Sequence, residues 1–473
     1  MPTQATPRPI AAALTGWADH GHGSLAQRLA FGIRRLVDAG LLASGTALPP
    51  ERRLAAELAV SRSTVTAALD ILRADGLIAS HQGRGTVVVG YDLEAAASNR
   101  MVDTFVGGAG GIDLAVGNPA DVAHLPSVSV DIADLLASGA GVGFQPLGLP
   151  ALREAIADLH TAAGCHAAAE EVHVTSGAHQ AISLVIGSLA SRREAVALVE
   201  PGYPGVFDII DGIGATVVPL RTDAAGVVPE SLVAALADPS VTVVYLQGGP
   251  QNPTGFVTPP ARLRALAAVL DEHDATVVED LTLSELVYAG RAPVELAHLC
   301  RRAPVVSIGS FSKVFWGGLR VGWIRAPLPI IDRTLHRRLG IDLGGPTASQ
   351  LLCLALLPHL AEITARRRAF LAEHTQRASA VLRAGVPEWE AGEPDGGSVL
   401  WVDTPLVDTT PLVQIAHRHG VHVAPGSIAL HHRRPDSHVR ICVDRPWPLV
   451  EAGLGRLAAA WRELERRPGR IAG

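Results

Sequence analysis

Lys313 is the only lysine in the 473-residue chain, and it sits in SFSKVFWGGLRVGW, residues 310–323. Lys plus Arg number 40, so the other 39 cations (40 − 1) are arginines. A composition rich in Ala, Gly, Arg and Val reflects a coding bias that replaces Lys by Arg. That bias explains the missing lysines and leaves the remaining one unexplained. An exposed cation can be either residue. An amine that must be neutral to attack a carbonyl has to be Lys, because a guanidinium stays charged and forms no Schiff base.

Four further segments, and the lysine's own, carry residues that could work with such an amine. HVTSGAHQ puts a Ser-Gly-Ala turn, with Gly177 and Ala178, at the start of a helical stretch, where free backbone N–H groups attract phosphate. VEPGYPG ends a strand-like run with Tyr203, QNPTG sets Asn252 in a tight turn, and TVVED ends another run with Asp280. SIGSFSK ends a third with Ser310, Ser312 and Lys313, and Arg320 follows seven residues after the lysine. Together these suit pyridoxal 5′-phosphate, which needs an amine, an acid at the pyridine nitrogen and a phosphate cup. It also needs a flat wall and a donor for its phenolate oxygen. Lys313, Asp280, the Gly177–Ala178 turn with Ser310 and Arg320, Tyr203 and Asn252 can supply these in turn.

The elements that must hold these residues are short β-rich runs (AVALVEP, TVVYLQ, TVVED, VVSIGS) alternating with Ala/Leu/Arg helical stretches from about residue 112. Such alternation predicts a mainly parallel α/β sheet, with ligands at the carboxyl ends of its strands. Residues 1–90 differ. Leu25, Leu29, Ile33, Leu36 and Val37 have helical spacing. LPPERRLAAELAVSRSTVTAALDILRADG reads as two short helices, with Ser61 able to cap the second, and GLIASHQGRGTVVV as a hairpin. This is the winged helix-turn-helix plan, whose second helix enters the major groove. Its exposed side offers Arg62, Ser63, Thr64 and Thr66, and the wing offers Arg84. Residues 91–111, rich in Ala, Ser and Gly, read as a linker with some helix in the first half. The domains expected are therefore 1–90 for DNA, 91–111 as linker and 112–473 for the effector.

LPPERRLAAELAVSRSTV and GLIASHQGRGTVVV closely resemble the signature of the GntR regulators. The resemblance implies DNA contacts by Arg52, Arg62 and Arg84. The ordered set SGA, PGY, NPTG, ED, SxSK and Arg, over roughly residues 112–460, resembles the fold type I aminotransferases. It implies that Lys313 forms the imine with the cofactor and that Arg440, in HVRICVD, holds a substrate or effector carboxylate. The fusion resembles the MocR subfamily of GntR regulators. That resemblance implies an N-terminal winged helix and a large parallel-sheet α/β domain with a smaller α+β subdomain. It also implies a cytoplasmic head-to-tail homodimer that binds an operator and senses pyridoxal phosphate or an amino compound. The family often has a Tyr where this chain has Thr282, which weighs against efficient transamination. A catalytically active aminotransferase tethered to DNA is the alternative reading.

The bulk properties are compatible with this. The net charge of −6 divides into +3 for residues 1–90 (nine Arg against six acids) and −9 for the rest (31 − 40). A basic segment joined to an acidic one suggests a different partner for each. The mean hydropathy of +0.25 comes from Ala, Val and Leu, and no unbroken apolar run reaches the ~18–20 residues of a membrane helix. The opening residues lack the basic and apolar regions of a signal peptide. Cys165, Cys300, Cys353 and Cys442 are scattered and read as free buried thiols. His431, His432 and His438 lack metal-ligand spacing and read as an exposed loop.

Overall fold

The computed structural model describes residues 14, 17–19, 24–38, 42, 46–74, 77–81, 85–88, 99–106, 111–138, 141–290 and 294–466. The chain divides into two units, Met1–Asn99 and Arg100–Gly473.

In the smaller unit, α1 (Leu25–Asp38), α2 (Glu51–Glu57) and α3 (Arg62–Ala74) precede an antiparallel hairpin of β1 (Ile78–His81) and β2 (Gly85–Val88). Leu29, Ile33 and Leu36 of α1, Leu54 of α2 and Val65, Leu69 and Leu72 of α3 share one core with Val88. Leu25, expected on that face, is half-exposed, because it lies in the first turn of α1, before the stripe meets its partners. Ser61 caps α3: its Oγ accepts from the Thr64 N–H at 3.1 Å.

The boundary of the larger unit lies earlier than residue 112. Residues 100–106, expected within the linker, form α4 (Arg100–Val106). Arg100 is buried and pairs with Asp208 at 3.0 Å and Asp211 at 3.2 Å. A helix of two turns has little stability of its own, and these tertiary ion pairs are what hold it.

The central sheet contains β3 (Val172–Thr175), β4 (Ala195–Val199), β5 (Thr216–Leu220), β6 (Val241–Leu246), β7 (Thr276–Asp280), β8 (Val305–Ser310) and β9 (Gly322–Arg325). Its order is β3-β9-β8-β7-β6-β4-β5. Only β9 runs antiparallel to its neighbours. The central strands are continuous Val/Ile/Leu runs because both faces are covered. Val196 and Leu198 face a core with α5 (Ala178–Leu189), α6 (Pro204–Ile213) and α7 (Leu328–Leu339). Ala195, Ala197 and Val199 face the opposite core.

After α8 (Thr347–Leu356) and α9 (Leu360–Gly385) comes a small antiparallel sheet of β10 (Glu390–Ala391), β11 (Val399–Asp403), β12 (Ala424–Pro425) and β13 (His438–Cys442). The last helix is α10 (Trp447–Glu465). By length and composition, Thr347–Gly385 could cross a membrane. In this fold it is two helices meeting at a turn over 357–359, and Cys353, Leu356, Ile363 and Leu371 sit in the core.

Candidate functional site

Strand register brings the predicted residues together. Asp280 and Ser310 are the last residues of β7 and β8. The antiparallel β9 starts at the same edge, with Gly322 paired to both Ser310 and Thr175. Lys313, Arg320 and the 176–178 turn therefore leave the sheet side by side. Lys313, Arg320 and Ala178 line a cavity of about 360 Å³ together with Tyr203, Asn252, Asp280, Ser310 and Arg440, and Gly177 lies buried just behind Ala178. Gly177 caps α5 at φ 89°, a conformation suited to glycine, and a Cβ there would come within 2.8 Å of Arg320 Nη2. Arg320 donates to the Ser176 carbonyl. The N-terminus of α5 thus lies beside a guanidinium, an arrangement with the chemistry to hold an anion such as a phosphate.

Lys313 points into the cavity. Its Nζ donates to the Gly117 carbonyl at 2.7 Å and to Asn118 Oδ1. Burial, and then the charge of Arg440, bring its pKa down to about 8. The amine is protonated below that value and neutral above it. Its reactivity toward a small aldehyde should therefore rise through pH 8 and level off above it. A stopped-flow pH series measures this, and a midpoint near the ordinary lysine value of ~10.4 would contradict the burial effect.

Asp280 is 5 % exposed and accepts four hydrogen bonds. Oδ2 takes Tyr245 Oη at 2.5 Å and Gln247 Nε2 at 3.0 Å, while Oδ1 takes the Thr282 N–H at 2.9 Å and its hydroxyl at 2.5 Å. The Thr282 hydroxyl is thus directed at Asp280. Arg440 is 7 % exposed and donates to Asn252 Oδ1 at 3.2 Å and to the Ala115 carbonyl at 2.5 Å. Tyr203 lies beside His179, with Oη 3.2 Å from Nδ1.

Several residues of the site were not singled out from sequence. Segment 113–118 supplies Ala115, Gly117 and Asn118. It is held by Arg445, which donates to the carbonyls of Asp113 (3.1 Å), Val116 (2.8 Å) and Asn118 (2.8 Å). Behind the phosphate cup, Gln180 accepts from the Ser176 N–H at 2.7 Å and donates to Asp342 at 2.7 Å; Asp342 in turn binds the fully buried Arg338 at 2.7 Å. The one available signal was Tyr245, a lone aromatic in an otherwise Val/Leu/Thr strand. The other residues join over long sequence separations that no local pattern reveals.

The histidine-rich loop is only partly exposed. His431 N–H and Arg434 both bind Glu200, the latter at 2.7 Å, and His438 pairs with Asp436 at 3.0 Å. Among the described residues, no three His, Cys, Asp or Glu side chains are grouped as a metal site. Of the cysteines, Cys300 is half-buried rather than buried.

In the smaller unit, Arg52, Arg62 and Ser63 are exposed and Thr64 and Thr66 are half-buried. Glu51 ties α2 to α3, lying 3.4 Å from Arg62 and accepting the Thr66 hydroxyl at 3.0 Å. Arg84, expected in the wing, lies outside the described residues. Arg62→Ala should weaken binding to all duplex sequences alike and reduce the salt slope by about one. Fluorescence anisotropy at several salt concentrations checks this, and an unchanged slope would remove Arg62 from the phosphate contacts.

Two domain families account for most of the chain. Residues 109–456 match the aminotransferase class I and II family, and residues 25–88 match the bacterial regulatory proteins of the gntR family. The chain therefore belongs to the MocR subfamily of GntR transcriptional regulators, in which a DNA-binding helix-turn-helix precedes an aminotransferase-like domain. It is 31 % identical to the pyridoxine biosynthesis transcriptional regulator PdxR of Corynebacterium glutamicum, over 74 % of this chain and 76 % of that one. It is 28 % identical to the probable rhizopine catabolism regulatory protein MocR of Rhizobium meliloti, over 92 % and 93 %. Among solved structures it resembles LysN, an α-aminoadipate aminotransferase from Thermus thermophilus complexed with N-(5′-phosphopyridoxyl)-L-leucine. The TM-score is 0.70 at 25 % identity, over 78 % of this chain and 97 % of that one.

Proposed function

We propose that the chain is a cytoplasmic, pyridoxal 5′-phosphate-dependent regulator that changes its hold on an operator when an amino compound, or the cofactor itself, enters the larger unit. One observation carries this reading. The sole lysine shares a single cavity with a strand-end acid, a helix N-terminus with an arginine, and a buried arginine. Gly177 also fits: a Cβ there would fill the cup.

Pyridoxal phosphate, when bound, supplies an aldehyde that condenses reversibly with primary amines. The chain's own residues would act as follows. Lys313 offers an amine that burial keeps partly neutral at physiological pH. The backbone of Gly177 and Ala178, with Ser310 and Arg320, binds the phosphate. Asp280, held ready by Tyr245, Gln247 and Thr282, pairs with the ring nitrogen. Tyr203 forms the wall for the ring, and Asn252 meets the phenolate oxygen. Arg440 takes the carboxylate of an effector.

Segment 113–118 is bonded to both Lys313 and Arg440. An amine that replaces Lys313, and a carboxylate that takes over Arg440, change what holds this segment. An effector that binds one arrangement of it more tightly shifts the regulator toward that arrangement. A head-to-tail homodimer would present two recognition helices, with Arg52, Arg62, Ser63, Thr64, Thr66 and Arg84 toward DNA. With the Thr282 hydroxyl directed at Asp280, we expect stoichiometric binding of amines rather than steady transamination.

The test selects operators from a random duplex pool. Affinity is then measured with apo-protein, with added pyridoxal phosphate and with added amino acids. A sequence-specific site whose affinity shifts at least about 10-fold, the usual scale of coupling, supports the reading. Binding indifferent to all additions contradicts it.

A further inference from the structure

The helix α4 forms part of the cavity wall. Met101, Thr104 and Phe105 stand at i, i+3 and i+4 and so share one helix face, and all three line the same cavity as Lys313 and Arg440. Phe105 is 55 % exposed, large and apolar, so no core requirement accounts for its place there. The helix itself is firmly held. Arg100 pairs with Asp208 and Asp211 and lies 5.0 Å above the Phe207 ring, and Asp103 pairs with Arg433 at 2.8 Å.

The charges in the cavity are few. Its cations are Lys313, Arg320 and Arg440. Arg320 stands at the phosphate cup and Lys313 is the amine itself. Arg440 alone remains for a ligand carboxylate. His179 is also present, and burial pulls its pKa down, so it adds no positive charge at neutral pH. A second carboxylate reaching α4 would lose water and meet Met101, Thr104 and Phe105, with no further cation among the described residues lining the cavity to compensate.

We infer that the effector is an amino compound with one carboxylate and an apolar substituent, and that Met101, Thr104 and Phe105 of α4 read that substituent. The inference rests on the cofactor and effector reading above. Arg440 fixes the carboxylate, the amine faces Lys313, and the substituent is left against α4. Discrimination by an apolar pocket is about 10–200-fold per methylene-sized change. Rejection of a second charge should be at least as large.

The experiment uses the full-length protein loaded with pyridoxal phosphate and follows its visible spectrum. The probes are L-leucine, L-phenylalanine, L-glutamate, L-aspartate and isoamylamine. Leucine or phenylalanine should half-saturate the change at a concentration at least about 10-fold below glutamate and aspartate. Isoamylamine, without a carboxylate, should be weaker than leucine. Phe105→Ala, at a partly exposed position, should narrow the leucine-to-glutamate ratio about 10-fold. Phe105→Arg should move the preference toward glutamate. Equal or better response to glutamate or aspartate in the wild type, or an unchanged ratio in Phe105→Ala, overturns the inference. A protein that takes up no cofactor has no visible band to follow and overturns the cofactor reading with it. A band that responds best to dicarboxylates overturns the effector class alone.

Discussion

Lys313→Ala should bind operator DNA as the wild type does without effector and lose every response to amino compounds. The DNA-binding helices lie in the separate unit Met1–Asn99, whose core is its own. No substitution at residue 313 alters that core. What is lost is the only primary side-chain amine in the chain. Arg in its place would keep the charge and not restore the function, because a guanidinium is neither neutral nor nucleophilic at these pH values. The loss should be complete rather than graded. Anisotropy titrations with and without the amino compound that shifts the wild type make the comparison. A variant that still responds would mean that Arg440 and α4 alone carry the signal.

Asp280→Ala should lower cofactor affinity by about 30-fold or more, the effect of removing one partner of a buried charge pair at ~2–5 kcal/mol. Two losses combine. The ring nitrogen would no longer meet a carboxylate, and the buried Tyr245 hydroxyl and Gln247 amide would lose their acceptor. Leaving buried polar groups unpaired costs about 1–3 kcal/mol each, so the larger unit should also melt earlier. Asp280→Asn separates the two effects. It keeps an oxygen for Tyr245 and Gln247, sets an amide NH2 against the Thr282 N–H and removes the charge, so it should recover part of the stability and none of the cofactor affinity. Equilibrium dialysis and thermal melts read the two quantities. Tight cofactor binding by Asp280→Asn would rule out charge pairing as the role of Asp280.

The parts of the site that could be read from sequence are those carried by short segments. SFSK, TVVED and the Ser-Gly-Ala turn each combine a strand end with a chemical group, so period and position together mark them. The parallel sheet was equally visible, because strands covered on both faces must be apolar throughout. Where the readings fell short, stability comes from contacts far apart in the chain. α4 lies in a weakly periodic Ala/Ser/Gly-rich segment and is held by Arg100 to acids 108 and 111 residues away. Asn118 reaches Lys313 across 195 residues. Arg445 looks like any other arginine in an arginine-rich chain until the 113–118 backbone is seen to converge on it. Thr282 was recognised as a departure from the family, but its hydrogen bond to Asp280 required the geometry.

The central claim is that the lone lysine must be free to exchange with an amino effector for the DNA-binding unit to respond. The most direct measurement reduces the cofactor-loaded protein with borohydride and then titrates operator DNA with and without the effector. Peptide mapping should find one pyridoxyl group per chain, on the peptide containing Lys313. With the lysine permanently attached, operator binding should persist and its dependence on the amino compound should vanish. A reduced protein that carries the group on Lys313 and still responds as before would contradict the account.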